Sequence, residues 1–169
     1  MRFYKSIANI SVGGNRKKMK NLFLCLFLVA CSFKPVFSGE DTNVYVAPIN
    51  GINGIELRNS LNAKFGGMHE QSAKYTLTVD LQDPITSYKA FERAGDATWQ
   101  EVRLNATYVL KDKDKEIAKG TESAAESYTF VRYLVASNAS YNNAVMNTIH
   151  SLSDKISMRV ITEIQKNNE

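Results

Sequence analysis

Histidine, cysteine, proline and tryptophan are all scarce in this chain: two, two, three and one among 169 residues. Each scarcity excludes something. Neither His69 nor His150 stands at a spacing to cysteine, aspartate or glutamate that makes a zinc or triad signature. The glycines at 51, 54, 66 and 67 read as turn and cap residues, and no phosphate-cradling glycine pattern is present. Glu122 and Glu126 could share a strand face, but nothing beside them would raise a carboxyl pKa for acid–base work. A hydrolase would have to recruit a serine or threonine to His69 or His150. The reading is a binding or assembly protein rather than an enzyme, with no catalytic residues, metal ligands or cofactor assigned.

Long hydrophobic runs are also lacking. Residues 22 to 30, Leu-Phe-Leu-Cys-Leu-Phe-Leu-Val-Ala, are apolar but fall far short of the ~20 residues a bilayer-crossing helix needs. Arg16, Lys17, Lys18 and Lys20 precede them, so basic flank and short greasy core together read as a signal peptide over 1–30. Leu28-Val29-Ala30-Cys31 matches the bacterial lipobox, with cleavage expected between Ala30 and Cys31 and diacylglyceryl transfer to the Cys31 sulfur. Met19 is a second candidate start. Removal of 1–30 takes away six of the 21 basic residues and no acidic one, leaving 15 against 17 and a formal charge of about −2. The basic isoelectric point therefore belongs to the targeting segment and gives no warrant for nucleic-acid binding. Cys25 leaves as well, so Cys31 has no cysteine to pair with.

The remaining chain reads as a lipidated tether, 31–43, and one α+β domain, 44–169. Val44 to Ile49 is a short strand with Pro48 near its end. Asn-Gly turns follow, then Leu57, Leu61 and Phe65 one turn apart on a helix closed by Gly66-Gly67. Tyr75, Leu77, Val79 and Leu81 alternate with polar residues, as do Val102, Leu104, Ala106, Tyr108 and Leu110. Each is a strand with one buried face. Pro84, Gly95 and Asp96 break the pattern between them. Residues 111–115 make a charged hairpin tip leading to a more polar strand at about 116–130, expected to be an edge or partly solvated. From about Ser140, Val145, Ile149, Leu152, Ile156 and Val160 form one stripe on a helix of about 25 residues. The order β-α-β-β-β-α implies a two-layer sandwich, a four-stranded sheet with two helices on one face.

Cys31-Ser-Phe-Lys-Pro-Val-Phe37 resembles the Cys-Gly-Phe-Arg-Pro-Leu-Tyr start of the mature LPS-assembly lipoproteins, the LptE family in its alphaproteobacterial form. Val46-Ala-Pro-Ile49 with Gly54-Ile-Glu-Leu-Arg-Asn-Ser-Leu61 is similar to that family's Val-x-Pro-Ile and Gly-x-x-Leu-Arg-Asn-x-Leu segment. Ser127-Tyr-Thr-Phe130, then Ala136 to Tyr141 and Ala144, resembles its Ser-Tyr-Asn and Tyr-x-x-x-Ala run into the last helix. The matches run in order across the mature domain. Ser32 replaces the usual glycine, and the stretch before Met19 has no counterpart.

The resemblance implies a lipoprotein held by lipid at the periplasmic face of the outer membrane. It would plug the lumen of an LptD-like β-barrel, assist its assembly and take part in passing lipopolysaccharide to the outer leaflet. A barrel lumen is polar, and serines, threonines and asparagines on outward strand faces suit it. Lipid A carries phosphates, which Arg103, Lys111, Lys113 and Lys115 could contact. The alternating Asp112 and Asp114 equally suit a solvated turn. The competing binding reading is another periplasmic lipoprotein factor, an accessory subunit of a lipid-transport ABC system or a secretin pilot.

Cys31→Ala should abolish acylation and leave an uncleaved precursor. Palmitate labelling of wild type and variant checks this; equal labelling of both would remove the anchor.

Overall fold

The computed structural model describes residues 42–91, 97–130 and 133–168. The signal segment 1–30, the cleavage pair Ala30 and Cys31, and the tether up to residue 41 lie outside the described residues.

Among the described residues seven elements follow one another: β1 Val44–Val46, α1 Ile52–Phe65, β2 Tyr75–Leu81, β3 Ile85–Phe91, β4 Ala97–Asp112, β5 Lys115–Thr129 and α2 Leu134–Asn168. The class is α+β, as the periodicities predict, with a mixed five-stranded open sheet in place of the expected four. The additional strand is β3. Tyr75–Leu81 pairs antiparallel with Asp112–Ala106, and Ile85–Phe91 continues along the same side of β4 against Arg103–Ala97. The Gln82 amide still bonds to the Asn105 carbonyl at 3.0 Å, after which Pro84 can donate nothing and the register slips by one residue. One long lane is thus broken into two strands. β5 runs along the whole other side of β4, and β1 pairs parallel with the start of β2.

Alternation decides which face is buried. Val102, Leu104, Ala106, Tyr108 and Leu110 lie at 5% exposure or less, against Leu77 and Val79 of β2 and Ala124 and Tyr128 of β5. Both helices supply the opposite wall. Leu57, Leu61 and Phe65 come from α1, and Val145, Ile149, Leu152, Ile156, Val160 and Ile164 from α2. The stripe read from the sequence is the observed core face. The helix itself begins earlier, at Leu134, and runs 35 residues. Its first turn carries no stripe, because Leu134 and Val135 project away from the core at 74% and 83% exposure.

Local chemistry fixes the joints. Gly66 closes α1 in the left-handed region at φ 80°, where a β-carbon is strained. Gly54 lets the first turn of α1 lie against Ile49, whose Cγ2 would stand 2.8 Å from an added β-carbon. The Arg58 Nε donates to the Val46 carbonyl at 3.1 Å, satisfying the outer edge of β1 from one turn of helix away. Lys64 meets Asp154 and Ser60 lies 3.4 Å from His150, so the two helices also touch through polar pairs. At the far end of β4, the buried Tyr128 hydroxyl donates to Gln100 Oε1, and its ring stands edge-on to Tyr141 at 5.8 Å.

Leu152→Ala or Ile156→Ala should cost about 2–5 kcal/mol, since each opens a cavity in a fully buried stripe. Lys155→Ala, on the exposed side of the same helix, should cost below about 1 kcal/mol. Urea unfolding of the mature chain compares them; equal losses would put the helix phase in error.

Candidate functional site

Among the described residues, nothing covers the side of the sheet away from the helices. Residues of β4 that alternate with its buried row, Glu101, Arg103, Asn105 and Thr107, face outward. By register they stand beside Ser127, Ala125, Ser123 and Thr121 of β5 and, on the other side, Ser87, Ile85 and Asp80 of the broken lane. Six of these eleven residues carry short hydroxyls or an amide, set among the apolar Ile85 and Ala125 and the charged Glu101, Arg103 and Asp80. Neighbours on it already hydrogen-bond across strands: Thr107 Oγ1 with Thr121 Oγ1 at 3.3 Å, and Asn105 Nδ2 to Gln82 Oε1 at 3.3 Å. Such a face gains little by burial in hydrocarbon and much by meeting another polar surface.

One cluster of charges sits on this face. The Glu101 carboxylate accepts from Arg103 at 3.0 Å and lies 3.1 Å from the Lys89 ammonium. Arg103 first, then Lys89, holds its carboxyl below the usual range, so it stays ionised. Arg103 is therefore occupied with its own neighbour. It also lies eight residues along β4 from Lys111, roughly 26 Å at 3.3 Å per residue. The structure brings Lys111, Lys113 and Lys115 together at the β4–β5 turn and leaves Arg103 apart from them.

The turn itself is a two-residue link between Asp112 and Lys115, with Lys113 at φ 53°. That left-handed conformation is one that glycine and asparagine adopt more readily than lysine. All three lysines are exposed. Across the strand from Asp112 sits Tyr75, whose hydroxyl donates to Asn168 Oδ1 at 3.1 Å, and Lys74 reaches the same oxygen at 3.3 Å. Val44 pairs with Tyr75. Hence the incoming chain, the lysine turn and the C-terminal end of α2 share one end of the domain, the proximal end.

The opposite, distal end joins the start of β4, the end of β5 and the start of α2. Trp99 is 48% exposed there, and Phe130, Tyr133, Leu134 and Val135 are exposed as well. Nothing in the hydrophobic periodicity marked these residues, since periodicity finds only faces that are covered.

The free edge of β5 is guarded rather than open. The Lys155 ammonium donates to the Ser123 carbonyl at 2.6 Å, and Arg159 meets Glu122 at 3.2 Å. Lys155, Arg159 and Glu122 line a surface groove of about 350 Å³ with Met158 and Thr162. Both histidines are exposed, and no cluster of three metal-ligating side chains occurs among the described residues. Tyr108 and Tyr128 are shifted upward chiefly by burial, as core tyrosines are.

No family model matches the chain, and no curated protein matches it. Solved structures do share its fold. The chain is similar to rare lipoprotein B from Shewanella oneidensis, with a TM-score of 0.61 and 11% identity over 75% of this chain and 98% of that one. It is similar to a chain described as a lipoprotein from Caulobacter crescentus, TM-score 0.60, 20% identity, over 75% and 93%. A minor lipoprotein from Acinetobacter baumannii matches at TM-score 0.51 and 14% identity over 72% and 92%. The domain described above has the fold of these lipoproteins.

Proposed function

We propose that this chain is an outer-membrane lipoprotein, anchored through Cys31 at the periplasmic face, that plugs and assists assembly of an LptD-like β-barrel and takes part in lipopolysaccharide transport to the outer leaflet. The observation that carries the reading is the bare, hydroxyl-rich sheet face, on a fold similar to that of rare lipoprotein B. A barrel that encloses a plug presents polar groups to its lumen. A flat field of threonine, serine and asparagine can exchange water for such groups with little loss, whereas an apolar face could not. The tether supports the same reading. It joins the domain at the proximal end, and an acylated Cys31 would hold the domain near its partner at high local concentration, so modest contacts suffice.

Lipopolysaccharide enters through its phosphates. Lys111, Lys113 and Lys115 stand together at the proximal end, with ammonium groups that charge-assisted hydrogen bonds to phosphate would use. Arg103 is a weaker candidate, being engaged by Glu101 and distant from the turn.

Depletion of the chain should leave the barrel misassembled and lipopolysaccharide missing from the cell surface. Barrel folding followed by heat-modifiability on gels, with surface labelling of lipopolysaccharide, checks it. Normal barrel assembly in depleted cells would defeat the assignment.

A variant carrying Lys111→Gln, Lys113→Asn and Lys115→Gln should fold, because asparagine tolerates the left-handed turn position, and should sustain barrel assembly. Its affinity for purified lipopolysaccharide should fall severalfold, measured by equilibrium binding at fixed salt. An unchanged affinity discards the phosphate contact while sparing the plug.

A further inference from the structure

We infer that the outer edge of β3 is a strand-pairing site for a second copy of this chain, the two β3 strands lying antiparallel about Thr86. Among the described residues β3 pairs with β4 alone, and the helices pack on β1, β4 and β5. Every side chain from Ile85 to Lys89 is exposed. A strand with one neighbour presents a row of backbone N–H and C=O groups, and the ligand that fits such a row is another extended strand. The other free edges are treated differently. Arg58 of α1 occupies a carbonyl of β1, and Lys155 of α2 occupies one of β5. Both guards come from helices, which leaves β3 as the edge suited to pairing.

Charge and register select a second copy as the partner. Between Gln82 and Ala90 the lane carries two charges, Asp83 and Lys89. Asp83 is exposed and makes no ion pair among the described residues. Two antiparallel copies centred on Thr86 set Thr86 opposite Thr86, Ile85 opposite Ser87, and Asp83 of each beside Lys89 of the other. Both ends close on opposite charges. Directly opposed residues must share a face, and here they do: Ile85 and Ser87 stand beside Arg103 and Glu101, and Lys89 reaches Glu101 on that same face. Lysine on an edge ordinarily keeps strands apart, but in this register Lys89 meets Asp83 and not its own copy. The ladder about Thr86 also stays clear of the register shift between Tyr88 and Ala90. Such an interface is isologous, with its two-fold axis perpendicular to the joined sheet, so both helix layers lie on one side and both uncovered faces on the other. The pairing stands on strand geometry and charge, apart from the plug reading.

Thr86 meets itself across the axis, so charge placed there reads the register directly. The full-length acylated protein, in density-matched detergent, is followed by sedimentation equilibrium over a dilution series and should dimerise. Thr86→Lys alone, or Thr86→Glu alone, sets like charges face to face and should weaken dimerisation about tenfold or more. An equimolar mixture of the two variants sets opposite charges face to face and should restore it. Both variants lose the Thr86 contact with the Tyr128 hydroxyl, so recovery on mixing isolates the pairing. Hydrogen exchange of the β3 amides should slow as concentration rises. A monomer at every concentration, an undiminished dimer in either variant, or no recovery on mixing each overturns the inference. So does amide protection that dilution leaves unchanged, the result that cover by the chain's own N-terminal segment would give.

Discussion

A 16-residue strand and a 35-residue helix of equal length govern this domain. At about 3.3 Å per strand residue and 1.5 Å per helix residue, β4 and α2 are each about 50 Å long. Neither is stable alone, since the strand needs partners on both sides and the helix needs a wall for its stripe. The wall is the even-numbered row of β4, Val102 to Leu110, and Ile149 to Val160 is what it buries. α1 and the β1–β2 pair complete the core at one end only. The other end holds Tyr128 against Gln100 and Tyr141, then runs out into exposed aromatic and aliphatic side chains.

Two asymmetries follow from that fit. Covering one face of the sheet with both helices leaves the other free to be hydroxyl-rich. Covering the core at one end leaves the other end apolar and unpartnered among the described residues. Two edges are closed by the same device. Arg58 closes a carbonyl of β1 and Lys155 closes one of β5, so lateral strand addition is discouraged where the domain would otherwise polymerise.

Much of this was legible in the residues. Where one face is buried, period-two alternation gave β2 to the residue and the middle of β4, 102–110, short of its ends at Ala97 and Asp112; β5 followed from the charged hairpin tip, and the four-three-four-four spacing gave the phase of α2. β3 escaped because every described side chain from Ile85 to Lys89 is exposed, so burial imposes no alternation on it, and Pro84 looked like an end rather than a break in one lane. The first six residues of α2 escaped because only one of them, the polar Ser137, is buried, so no apolar stripe marks them. Of the candidate phosphate contacts, the three lysines were close in sequence and are close in space. Arg103 was placed with them by charge alone, and its pairing with Glu101 two residues back is a strand-face contact that composition does not reveal. The roles of Arg58 and Lys155 join elements 12 and 32 residues apart and had no local signal.

The central claim is that the bare sheet face lies against the inside of a barrel. A photo-crosslinking amino acid at Thr107, in the middle of that face, tests it in intact cells, with His150 on the exposed side of α2 as a second position. Thr107 should capture a large outer-membrane β-barrel chain, identified by mass spectrometry, in the acylated protein. Efficient incorporation at Thr107 with no barrel adduct, or adducts only to soluble periplasmic proteins, would contradict it.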